Sequence, residues 1–86
     1  MKKLIQVQEV EGEGLEGLMG QNVMLFCLNY IYWGKLVGVN ETFVKLENAH
    51  LVYETGSFSG PLKDAQKMPK DEWYVRMAVI ESFGVK

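Results

Sequence analysis

The sequence predicts an all-β domain, a strongly bent five-stranded antiparallel barrel entered through a short helical turn. Three observations predict it. Val23, Leu25 and Cys27 alternate with a second apolar set, Met24, Phe26 and Leu28, which is the period of a strand covered on both faces. Gly34 and Gly38 stand inside the next strand-like stretch, where glycine weakens a strand and marks a bend or a close backbone approach. Turn chemistry at Asn29-Tyr30 and Asn40-Glu41 separates consecutive strand-like runs, as hairpin connections do.

Taken in order, residues 1–14 form an N-terminal extension and residues 15–86 the domain. Within the extension, Lys3–Val10 alternates weakly, as an extra edge strand would, and Glu11-Gly12-Glu13-Gly14 is loop chemistry. Leu15, Leu18 and Met19 share one face of a single helical turn, which Gly17 and Gly20 keep short. Strands are expected at Val23–Leu28, Ile31–Val39 and Thr42–Glu54, the last with a bulge or bend near Asn48, where its alternation blurs. Thr55–Asp71 carries Gly56, Gly60, Pro61 and Pro69. It reads as a long loop with a helical piece at Lys63–Lys67. Trp73–Phe83 is strand-like and bends near Met77-Ala78.

Composition narrows the function classes. The chain has 86 residues and a formal net charge of −2, enough for one core and without a global pull toward polyanions. No apolar run approaches the roughly 18 residues of a membrane span. Gln6, Gln8 and Glu9 interrupt the Met-Lys-Lys-Leu-Ile start before a signal-peptide core can form. The single Cys27 has no intrachain partner, which points to a reducing, cytoplasmic setting. His50 stands without a metal-ligand set around it, no glycine-rich phosphate loop opens a helix, and no nucleophile–base pair is spaced for catalysis. A non-enzyme without cofactor or metal is expected.

The order of Leu15–Gly20, Val23/Leu25/Cys27, Tyr32/Gly34/Leu36 and Leu46/Asn48/Ala49 resembles the first motif of the Sm-like (LSm/Sm) family. Val75-Arg76 followed by Ile80 and Phe83 falls at the spacing of its second motif. The short loops are similar to outlying forms carried by bacteriophages. The resemblance implies an Sm-like, SH3-like barrel that assembles by edge pairing into a homo-oligomeric ring of about five to seven copies. It also implies a pore that takes single-stranded RNA. Asn40, Thr42, Phe43 and Arg76 are then the candidate RNA contacts, with the Arg76 guanidinium suited to stack on bases or hold phosphates. Trp73, Tyr74, Val75, Val79, Ile80 and Phe83 are the candidate subunit interface. The sequence departs from the family where Met77 replaces the glycine after the motif arginine and where the base-reading Asn of the Asn40–Phe43 loop lacks a counterpart.

The leading expectation is therefore a ring subunit binding RNA weakly. Two alternatives remain open: a structural or protein-interaction hub in which RNA binding is lost, and a monomeric SH3-like adaptor that reads a peptide through its aromatics.

Overall fold

The computed structural model describes residues 13–86; the strand expected at Lys3–Val10 lies outside the described residues. Leu15 turns the chain through a 3₁₀ turn at Glu16–Leu18. Six strands follow: β1 (Asn22–Cys27), β2 (Ile31–Val39), β3 (Phe43–Glu54), β4 (Asp64–Lys67), β5 (Glu72–Arg76) and β6 (Ile80–Val85). All pairings are antiparallel, in the order β4-β3-β2-β1-β6, with β5 also on β3. The expected helical turn and first three strands stand within a residue or two of their places. The helical piece expected at Lys63–Lys67 is instead β4, since the ladder to His50–Glu54 supplies backbone partners that an isolated helical turn lacks.

The five-stranded closed barrel, Sm-like or SH3-like, is not what the chain forms. The sheet has six strands and is open, running from β4 at one end to β6 at the other. No ladder joins β5 to β6 among the described residues; a 3₁₀ turn at Met77–Val79 carries the chain from one to the other. The bending devices read from the glycines are nonetheless present, and they curve the sheet without closing it. Register shifts in the β2–β3 ladder fall at Trp33/Lys35 and at Leu36/Gly38. A Cβ on Gly34 would lie 3.0 Å from the Glu47 carbonyl oxygen and 3.1 Å from the Ala49 Cα. Only glycine lets β3 come that close.

The curvature is continued by β3. Its first half pairs with β5 and its second half with β4, both on the side away from β2. The two ladders divide at Asn48, whose φ is +52°, a left-handed conformation that asparagine tolerates better than most residues. The Asn48 amide donates to the Asp71 carbonyl at 2.8 Å, and the Met68 amide to the Ala49 carbonyl at 2.8 Å. The kink therefore leaves no amide stranded there.

One face of this sheet holds the core. Val23, Leu25, Leu36, Val44, Leu46 and Ala49 are fully buried, Val75 nearly so, and Leu15 caps the cluster. Alternation explains why: each of these strands sends every second side chain inward, and bulges restore the phase where the ladder slips. Met24 and Val52, also buried, belong to the opposite face, and this second face positions the features below.

Candidate functional site

The four residues expected to contact RNA do come together. Asn40 closes the β2–β3 turn, its side-chain oxygen accepting from the amides of Thr42 at 2.8 Å and Phe43 at 2.9 Å. Phe43 sits opposite Arg76 in the β3–β5 ladder, and the Met77 amide donates to the Thr42 carbonyl. Phe43 meets Tyr74 edge-to-face at 5.1 Å, and Lys45 lies over the Tyr74 ring while pairing with Glu72 at 3.0 Å. Hydrogen bonding and charge from Glu72 raise the Lys45 pKa above the ordinary lysine value. Asn40 is thus occupied with shaping its own turn, and the aromatic pair is held by its neighbours.

The residues expected at a subunit interface scatter. Val75 faces inward and is 3% exposed. Trp73, Val79 and Ile80 pack partly against the core, whereas Tyr74 and Phe83 are exposed on different strands. These six do not form one surface.

Two clefts on the sheet's second face were not legible in the sequence, because the loop between β3 and β4 builds part of both. The Lys86 ammonium ties that loop down, donating to the carbonyls of Phe58 at 2.9 Å and Gly60 at 2.6 Å. Phe58 meets Phe26 edge-to-face at 6.3 Å. On the β6 side this leaves an apolar groove of about 260 Å³ between Met24, Phe26, Phe58, Phe83, Gly84 and Val85. On the β3 side a larger cleft of about 480 Å³ is lined by Trp33, His50, Pro61, Leu62, Lys63 and Lys86, with Asp64 at its margin.

The groove runs beside a strand edge that has no second partner among the described residues. β6 pairs with β1 alone among the described residues, so one side of its backbone offers unpaired donors and acceptors. Edges are commonly guarded by charge or proline. The outer strand β4 follows that rule, being four residues long with Asp64 and Lys67 at its ends. β6 carries Phe83 at 42% and Val85 at 56% exposure and only one charge, Glu81. Gly84 has nothing within 4 Å of where its Cβ would stand, so the strand is notched where the groove opens.

The described residues contain no group of three or more His, Cys, Asp or Glu side chains placed to hold a metal, and no helix among them is long and apolar enough to cross a membrane. Cys27 is half-buried and unpaired, and burial, with a smaller push from Glu81, raises its thiol pKa.

No family model matches the chain, and no curated protein matches it. With that result and an open sheet, the Sm-like identification, the phage-like affiliation, the ring of five to seven copies and the RNA-binding pore are all overturned. The described residues assemble their core within one copy of the chain.

Proposed function

We propose that the chain is a non-catalytic protein-interaction module that captures an extended segment of a partner protein by strand addition to β6. The observation that carries this reading is the unguarded β6 edge lying beside the Phe26–Phe58–Phe83 groove. Main-chain hydrogen bonds along such an edge give affinity, and pockets for alternate side chains give specificity. The partner's matching chemistry is a β-forming stretch of four to six residues, by the length of β6, with a large apolar side chain at every second position. The notch at Gly84 supports the same reading, because a glycine inside a strand commonly marks where another backbone comes close. A lone cysteine suits a reducing, cytoplasmic setting for this work.

A peptide library displayed as extended segments tests the proposal. Selected binders should share period-two apolar patterning, and a labelled binder should perturb the backbone amides of Ile80–Val85 together with Phe26 and Phe58. Phe83→Lys puts a guarding charge on the edge, and Gly84→Val fills the notch; each should abolish binding while the folded spectrum persists. Selection of peptides without that patterning, perturbations elsewhere, or a concentration-dependent rise in mass showing that the edge pairs with a second copy would each overturn it.

A further inference from the structure

The β6 groove owes its depth to side chains that are missing. In the β1–β6 ladder Gly84 lies opposite Met24, and Ser82 opposite Phe26. Directly opposed residues of an antiparallel pair project to the same face. β6 therefore presents only its two smallest residues, Ser82 and Gly84, to the face where β1 presents Met24 and Phe26. The side chains of Phe83 and Val85, opposite Leu25 and Val23, leave toward the core face. What remains is a step, with β6 backbone as its floor and Met24 and Phe26 standing behind it. Phe58 adds a third side, its ring edge-to-face with Phe26 at 6.3 Å. β6 ends the strand order, so no strand among the described residues bounds the step on its outer side.

Size and chemistry narrow the occupant. The groove holds about 260 Å³, below the roughly 300–1,000 Å³ of small-molecule sites, which suits one large side chain. Nothing stands within 4 Å of where a Gly84 Cβ would be, so the floor is clear. The walls favour a ring. Phe26 and Phe58 already hold the edge-to-face geometry that aromatic side chains prefer, and the Met24 thioether supplies a sulfur that packs well against a ring edge. A glycine on an edge strand is also stabilised when an aromatic side chain of the neighbouring strand lies across it.

We infer that the groove is the anchor pocket for one aromatic side chain, carried by the partner residue that pairs with Gly84. The inference rests on the reading of β6 as an edge for strand addition, and it narrows that reading to one position. A partner residue opposite Gly84 projects to the same face as Met24. Its ring crosses the glycine, which has no Cβ to block it, and meets Met24, Phe26 and Phe58. The partner residues on either side of it point to the other face, beside Phe83 and Val85, and are released from that requirement.

The experiment titrates the isotope-labelled full chain with three capped heptapeptides. Each carries threonine at odd positions and valine at the second and sixth; the fourth is phenylalanine, cyclohexylalanine or alanine. The phenylalanine peptide should move the Met24 methyl signal upfield saturably, through the ring current of a side chain lying over the step. Cyclohexylalanine keeps the bulk without the aromatic ring and should bind about three- to tenfold more weakly, the size of ring contacts beyond burial. Alanine also loses the burial and should bind at least about tenfold more weakly than phenylalanine. Phe58→Ala, at a side chain 69% exposed, should bring phenylalanine and cyclohexylalanine within about twofold of each other. Equal binding of all three peptides, with shifts along Ile80–Val85, would overturn the aromatic anchor and leave strand addition standing. A ring current felt at Val23 and Leu25 instead of Met24 would do the same. Binding by none of the three would remove strand addition at β6 and the anchor with it. A Met24 shift that follows protein concentration without peptide would put a second copy in the groove and overturn both. The peptide comparison on the unaltered chain decides whether or not Phe58→Ala folds.

Discussion

Gly34 and Cys27 show how much single positions decide here. The added Cβ of Gly34→Ala would press on the backbone of β3 at Glu47 and Ala49, and backbone in a sheet interior yields poorly. The expected loss is about 1–3 kcal/mol, read as a lower denaturation midpoint with an unchanged slope. Gly38→Ala is the internal comparison: its Cβ would meet only the Lys45 side chain, at 3.3 Å, so it should cost less. Cys27 makes a prediction about pH. Burial, and secondarily Glu81, disfavours its thiolate in the folded chain, and burial does the same to the Tyr32 phenolate. For acids whose folded pKa is raised, stability is whole below the unfolded value and falls as pH climbs past it. The domain should therefore lose stability on the alkaline side, above the ordinary thiol pKa. In the same range iodoacetamide should label Cys27 more slowly in the folded chain than in urea, and equal rates would contradict this account.

At the scale of elements, β3 is the organiser, and Asn48 is the residue on which it turns. Its φ of +52° separates the β5 ladder from the β4 ladder, so one strand serves two partners in two directions. Asn48→Gly should be tolerated, whereas Asn48→Val forces a branched side chain into a left-handed conformation at a cost of about 1–2 kcal/mol. Thermal melts of the pair distinguish a kink built into the strand from one imposed by its neighbours. The kink was legible in the sequence because the apolar alternation of β3 loses phase there. So were β1 and β2, whose period-two pattern and turn residues agree. β4 was not legible, because Asp64-Ala65-Gln66-Lys67 has the local preference of a helix and becomes a strand only through its ladder to β3. The clefts were not legible for a related reason. Trp33 and His50 are separated in sequence and meet through the β2–β3 register, and Phe58, whose carbonyl accepts from Lys86, meets Phe26 across a long stretch of chain. No local pattern encodes such tertiary closures, whereas a motif-like order of glycines and apolar residues was present and suggested a closed barrel that the pairing does not make.

At the scale of the whole molecule, the division of labour between the central core and the outer β6 edge makes folding and binding separable. The inward face carries nearly all the fully buried side chains, and a core this small has little reserve. Leu46 is fully buried and central to it. Leu46→Ala should cost about 2–5 kcal/mol, which for a domain of this size corresponds to a melting temperature roughly 10–30 °C lower. Phe83 lies on the β6 edge at 42% exposure; its register opposite Leu25 puts it on the core face, so truncation gives up part, but not all, of a large apolar side chain's burial. Phe83→Ser should therefore cost about 1 kcal/mol, clearly less than Leu46→Ala, yet lose the selected peptide. Calorimetry and peptide titration on the same two samples decide the matter. A Phe83→Ser chain that unfolds as readily as Leu46→Ala would make the exposed edge part of the core's support. One that keeps both its stability and its peptide would move the binding surface away from β6.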